Sequence, residues 1–287
     1  MAFSSLEEIN TYTKEHKCEF WEAVVKEEAK DSQMPEMDIV NRMTNMYHSM
    51  KEADDGYDGK LASHSGLSGG NGEKMADYAA DHRCLCGDFG GAVMARAIKM
   101  AESNACMKRI VAAPTAGSCG IVPAVLITYE RMTNTSENDM GKALFVAAGI
   151  GDVIARRASI SGARGGCQAE IGSSSAMAAG ALAWLKSGSS HMIEQAAAMA
   201  LKSLLGLVCD PVAGLVEVPC VKRNASGAMN ALCAVDMALA GIESAIPADE
   251  VIDAMREIGD MMHKDLRETG KGGLANTVTG RTIAERL

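Results

Sequence analysis

Aromatic side chains are scarce in this chain, at 4% of 287 residues. Its core therefore cannot rest on large flat rings. It must come from the abundant alanine, glycine and methionine, which suit close approach of helices. A basic excess is missing too. With a net charge of -9, the chain lacks the positive field that a nucleic-acid groove or an anionic membrane surface demands. Small molecules or proteins remain as partners. Long apolar runs are also absent: "AMAAGALAWL" stops at Lys186 after ten residues, against about 20 for a membrane span. The opening "MAFSSLEEINTYTKEHKCEF" puts acids and lysines where a secretion signal needs a basic start and an apolar centre. Nine cysteines form an odd set without a small secreted framework. The expectation is a soluble cytoplasmic protein with reduced thiols, some of them committed to metal.

With 47% apolar residues the chain can bury a substantial core. Helical spacing dominates. Leu6, Ile9 and Tyr12, then Phe20, Val24 and Val25, then Met37, Val40, Met43, Met46 and Tyr47 predict two or three amphipathic helices in an acidic segment over 1–55. A glycine-rich stretch with no apolar face predicts a long loop over 56–73, and so long a loop is commonly functional. Helix resumes from about 75, with a break expected at Gly90 and Gly91. Further helices are expected near 120–132, 139–156, 174–186, 190–206, 226–240 and 248–266. "GLVEVPCV" is short enough for a strand, but no alternation of strands and helices emerges. The chain reads as one all-α domain over 1–287.

Cys18, Cys106 and Cys233 lie within helical patterns and read as packing. Cys84 and Cys86 form a C-x-C that is too short for the common zinc spacing. Cys167, Cys209 and Cys220 instead sit at chain punctuation, in "GARGGC", "GLVCDP" and "VPC". Thiols at three breaks are free to converge. They can hold three irons of a cubane and leave the fourth open to substrate, or hold a zinc ion with one open position.

Two glycine-bearing loops offer anion cradles. In "VAAPTAGSCGIVPAVLITYE", Thr115, Gly117 and Ser118 provide hydroxyls and bare backbone ahead of a helix start. In "SHSGLSGG", Ser65, Ser68, Gly69 and Gly70 do the same, and His64 is a weak candidate for a general base. Arg223 and Asn224 follow Cys220, where they either pair with a carboxylate or cap a helix starting near Ser226. His16, His48 and His191 read as surface or helix-end residues, and His82 and His263 have no identifiable carboxylate partner.

The motifs "APTAGSCGIVPAVL", "SISGARGGCQAEIGSSSAMAAG", "LGLVCDPVAGLVEVPCVKRNA" and "LRETGKGGLA" together closely resemble the iron-sulfur-dependent L-serine dehydratases, in the alpha chain of the two-chain form. The resemblance covers nearly the whole chain. It implies a helical catalytic domain and a [4Fe-4S] cluster, without pyridoxal phosphate, held by Cys167, Cys209 and Cys220 in a region over 160–230. It also implies conversion of L-serine to pyruvate and ammonia, with the open iron as Lewis acid for the leaving hydroxyl. Thr115, Gly117, Ser118 and Asn224, with Ser65, Ser68, Gly69 and Gly70, are the candidates for gripping the carboxylate and ammonium of serine. Single-chain relatives carry a Ser-Ser-Ser-His run whose histidine is a candidate base, and this chain has none. The expected partner is a beta chain that supplies the base. Those relatives also end in a cysteine that can occupy the fourth iron, whereas this chain ends "TIAERL", so its resting fourth site is expected to hold water or a small anion. The alternatives are a zinc-dependent hydrolase and a cluster-bearing subunit inactive without its partner.

Overall fold

Residues Ser173–Leu185 carry small or apolar side chains on every side, and a helix with no polar face must be enclosed. The computed structural model, which describes residues 3–186 and 188–287, places this helix at the centre of an all-helical domain. In chain order the helices are α1 (Leu6–His16), α2 (Phe20–Ser32), α3 (Glu36–Asp55), α4 (Asn71–Ala80), α5 (Gly87–Ala105), α6 (Ile121–Thr133), α7 (Glu137–Arg157), the single turn α8 (Gly162–Gly165), α9 (Ser173–Leu185), α10 (Ser190–Lys202), α11 (Cys220–Leu239), α12 (Ala248–Met261) and α13 (Val278–Ala284). No strand forms among the described residues; the isolated pairing of Cys209 with Arg267 is the nearest approach to one. None of the described helices is long and apolar enough to cross a membrane.

Helices α6, α7, α10 and α11 surround α9, and residues Ser173–Ala183 are all buried. Small residues make this possible. A Cβ at Gly180 would overlap Ile150 of α7, and one at Gly227 of α11 would stand 2.6 Å from Ile121 and 2.8 Å from Ile171. Two hydroxyls at the start of α9 serve neighbouring backbone: Ser174 donates to the Ala113 carbonyl at 2.6 Å, and Ser175 to that of Gly227 at 2.8 Å. The entrance of the central helix is thereby fixed to the 113–118 loop and to α11.

Three amphipathic helices occupy the N-terminal segment; α2 packs against α1 and α3, α2 and α3 lie on α7, and α1 reaches α10 and α12. The first is capped from a distance. Asp249 of α12 accepts the Leu6 and Glu7 N–H groups at 2.9 and 3.1 Å, giving the positive end of α1 a carboxylate. The buried line of α3 runs through Ile39, Tyr47 and Met50, while Met37 and Met46 are 68% and 45% exposed.

Several boundaries differ from the sequence expectations, each for a local reason. The glycine-rich loop ends at Gly70, because the N–H groups of Asn71 and Gly72 find a carboxylate in Glu102 and α4 can start there. Gly90 and Gly91 lie inside α5 and do not break it; the side chains of Cys86 and Cys84 occupy the space their own would need, each sulfur 2.7 Å from the Cβ position. Helix α11 starts at Cys220, not near Ser226, with Pro219 immediately before its first residue, where a missing N–H costs nothing. "GLVEVPCV" is turn and helix start instead of strand. Helix α10 stops at Lys202 and α12 at Met261, both short of expectation.

Replacing Gly180 by valine is expected to destabilise the protein by about 1–3 kcal/mol, the usual cost of overpacking a closed core. Urea denaturation followed by circular dichroism measures it, and an unchanged midpoint would show that α7 and α9 can separate freely.

Candidate active site

Three loops deliver Cys167, Cys209 and Cys220 to the same buried region, with exposures of 2%, 3% and 8%. Each is fixed through its backbone surroundings. Cys167 follows Gly166, whose φ of +75° and whose closeness to Met262, at 2.6 Å from a would-be Cβ, require glycine. Gln168, fully buried, accepts from the Gly206 N–H at 2.8 Å and donates to the Met255 carbonyl at 3.0 Å, which ties the Cys167 turn to the approach of Cys209 and to α12. Cys209 N–H donates to the Leu266 carbonyl, and the Glu268 N–H returns a bond to the Cys209 carbonyl, both at 2.8 Å. Cys220 is the first residue of α11.

Asp210 and Arg223 bind these pieces together. One Asp210 oxygen accepts from Arg223 and the other from the Leu274 N–H, both at 2.8 Å. Arg223 also donates to the Val208 carbonyl at 2.8 Å. It is therefore committed to the Cys209 turn and does not cap a later helix.

The thiols are electrostatically unequal. A hydrogen bond from Cys209, supported by Arg223, holds the Cys167 thiol below its ordinary value. The same hydrogen bond, with burial, pushes Cys209 far up. Burial pushes Cys220 up to about 12. Ionising all three needs a cationic group in their midst.

A carboxylate that the sequence reading passed over stands beside them. Glu170, three residues after Cys167, accepts from Thr115 Oγ1 at 2.8 Å, and its other oxygen lies 3.9 Å from Cys209 Sγ. Burial raises its carboxyl above the ordinary value. Its place in "CQAE", as the one charged residue between Arg164 and Lys186, was the available signal.

The 115–118 loop meets this site directly. Thr115 binds Glu170, Ser118 Oγ lies 3.1 Å from Thr115 Oγ1, and Gly117 backs onto the Glu170 carboxylate. Asn224 sets the loop's position: its amide donates to the carbonyls of Gly117 and Cys220 and accepts from the Gly120 N–H, at 2.8, 3.0 and 2.9 Å. Cys119 in the same loop turns away into the core, where burial pushes its thiol up to about 12.

The other glycine loop is brought to the Cys220 side, but its donors are engaged. Ser63 and Ser65 donate to the buried Glu217 at 2.6 and 2.8 Å, three residues before Cys220. The N–H groups of Gly69, Asn71 and Gly72 and the Tyr57 hydroxyl all donate to Glu102, and Gly70 lies between them as the residue preceding α4. Ser68 is buried, its N–H donating to Ser63 Oγ at 3.2 Å. His64 projects to solvent between the two inward-turned serines.

Two histidines expected to lack carboxylate partners have them. His82 pairs with Asp88 at 2.8 Å, and His263 lies 3.6 Å from Asp265. Both are exposed. Cys233, expected as packing, is exposed on α11.

Among the described residues, no three His, Cys, Asp or Glu side chains converge as ligands of a single metal would. A cubane needs something different, since each thiolate holds a separate iron and the ligands surround a volume. Space beside Cys209 is also kept clear: a Cβ at Gly162 would stand 3.1 Å from its sulfur. Three buried thiols with a neighbouring guanidinium fit such a group.

The fold and site define an all-helical protein with a buried thiol and carboxylate centre at the entrance of its central helix. The family model for the serine dehydratase alpha chain matches residues 15–275. A probable L-serine dehydratase alpha chain of Bacillus subtilis is 45% identical over 99% of this chain and 95% of its own length. The L-serine dehydratase alpha chain of Peptoniphilus asaccharolyticus is 41% identical over 96% of this chain and 95% of its own. L-serine dehydratase 2 of Escherichia coli is 45% identical, but the match spans 62% of this chain and 40% of that longer protein. The chain belongs to the serine dehydratase alpha chain family.

Burial alone would raise the Glu102 carboxyl, but hydrogen bonds from Gly72, Tyr57 and Asn71 outweigh it and hold the carboxyl below the ordinary value. That stabilisation is complete above about pH 4.5 and is lost as pH falls below it. The protection factors of the 66–72 amides, taken against the intrinsic exchange rate at each pH, are therefore expected to fall in acid, and Glu102→Gln should lower them at neutral pH. Equal protection in the variant would mean that the carboxylate is not what orders the loop.

Proposed function

We propose that this chain is the catalytic alpha subunit of an L-serine dehydratase, converting L-serine to pyruvate and ammonia. The observation that carries the proposal is the meeting of three loop-borne thiols, Cys167, Cys209 and Cys220, with the 115–118 loop and Glu170. The names of the B. subtilis and P. asaccharolyticus relatives support the same reaction.

In this reading the three cysteines hold a [4Fe-4S] cluster. Bound there, the cluster supplies a Lewis acid that weakens the bond from serine Cβ to its hydroxyl. The chain's own residues position and desolvate. Asn224 fixes the backbone of Gly117 and Gly120, so the loop presents a constant surface to substrate. Burial of the thiols excludes water that would compete with the hydroxyl of serine. Loss of the Cα proton and of the β-hydroxyl gives aminoacrylate and water. Aminoacrylate tautomerises to an imine, and hydrolysis yields pyruvate and ammonia.

We assign removal of the Cα proton to a base on a partner chain. His64 faces solvent, and His82, His191 and His263 are exposed and lie beside surface carboxylates. A beta chain is the natural source of the base.

Anaerobically reconstituted protein is expected to release pyruvate from L-serine far faster with its beta chain than alone. Equal turnover in both preparations would refute the need for a partner. Cys209→Ser is expected to lose iron and at least about a hundredfold in turnover, as removal of essential machinery does. Retention of full iron and activity would remove Cys209 from the ligand set.

A further inference from the structure

Glu170 is a charged side chain at the thiol site that forms no ion pair among the described residues; its polar contacts are the Thr115 hydroxyl at 2.8 Å and the Cys209 thiol at 3.9 Å. A largely buried carboxylate costs free energy unless a cation or several donors meet it. Glu102 of α5 has such donors from three backbone N–H groups and two side chains. Glu170 does not.

Two glycines let the carboxylate stand where it does. A Cβ at Gly162 would lie 2.6 Å from Glu170 Oε2 and 3.1 Å from Cys209 Sγ, and one at Gly117 would lie 3.2 Å from Oε1. Neither glycine is among those with positive φ, so clearance, and not backbone conformation, explains both. Side chains are thus excluded on two sides of an acid that borders the thiols. The guanidinium beside Cys167, that of Arg223, is bound to Asp210 and to the Val208 carbonyl.

We infer that Glu170 is the substrate-binding residue that receives the α-ammonium of the amino acid, with Thr115 orienting its carboxylate. This rests on the serine dehydratase reading and adds a specificity determinant to it. An ammonium supplies the missing counter-charge, and a hydroxy acid without the amino group does not. The site then discriminates for α-amino acids by a polar group that only they satisfy, the kind of contact that separates substrates most strongly.

The test uses two probes with the iron-loaded complex of this chain and its beta chain: L-alanine, which keeps the ammonium and lacks the hydroxyl, and 3-hydroxypropanoate, which does the reverse. Calorimetry on Glu170→Gln is expected to show L-alanine binding weakened by about tenfold to a hundredfold, the range for a charged hydrogen bond, with 3-hydroxypropanoate unchanged. The KM for L-serine should rise with it while iron content stays at the wild-type level. Thr115→Val, which keeps the carboxylate and loses its support, should weaken L-alanine less. Equal weakening of both probes, unchanged L-alanine affinity, or loss of iron from Glu170→Gln each overturns the assignment, the last by making Glu170 a holder of the metal group. If wild-type protein turns over L-serine and one of these results follows, this inference alone fails. If wild-type protein binds neither probe and releases no pyruvate, the dehydratase reading falls and takes this one with it.

Discussion

Asp210 joins three parts of the chain that are distant in sequence. Its two oxygens take one bond from Arg223 on α11 and one from the backbone of Leu274, while its neighbour Cys209 pairs with the 266–268 segment. Removing one partner of a buried charged pair costs about 3–5 kcal/mol. Here the consequence is also positional, because Arg223 lies three residues after Cys220 and bonds the Val208 carbonyl just before Cys209. The separation of two thiols depends on that guanidinium. Gln168 does the same for the third thiol through Gly206 and Met255. Positions of the sulfurs are thus set by buried polar bonds that hold loops, and the surrounding helices supply the rigid frame to which those loops return.

The glycine-rich loops do hold anions, and the anions are the chain's own. Glu102 lies in the backbone N–H groups at the start of α4, Glu217 under the hydroxyls of Ser63 and Ser65, and Glu170 against Gly117 and Thr115. The first two are structural: Glu102 orders the 56–70 segment, and Glu217 connects that segment to the approach of Cys220. The third differs, because its partners leave its charge uncompensated. A loop built to accept a carboxylate is chemically the same whether the carboxylate comes from a ligand or from residue 217.

That equivalence explains which features were legible beforehand. The all-helical architecture follows from spacing, and the central position of α9 follows from a segment with no polar face. Cys167, Cys209 and Cys220 could be singled out because each sits within two residues of a glycine or proline. Ser65, Ser68, Gly69 and Asn224 were recognisable as hydrogen-bonding residues, but their partners lie between 33 and 152 positions away for Gly69 to Glu102, Asn224 to Gly117 and Ser65 to Glu217. No local pattern encodes such a pairing. The early start of α11 was hidden because Pro219 reads as a breaker, although a proline just ahead of a helix suits its start. Gly90 and Gly91 read as a break because the cysteine side chains that fill their space cannot be seen in the spacing.

Protonated, Cys209 and Cys220 are easily buried; ionised, they are not, and Cys220 shows the size of that preference with its thiol pushed up to about 12. A multi-iron group held by these residues would reverse the balance by bringing positive charge to the sulfurs, and its loading would release protons. The most direct measurement is Mössbauer spectroscopy on protein reconstituted anaerobically with iron and sulfide, before and after addition of L-serine. About four irons per chain are expected, three held alike by thiolates and one distinct, with L-serine changing the signal of the distinct iron alone. A single metal ion per chain, or four irons that respond to L-serine alike or not at all, would contradict the account.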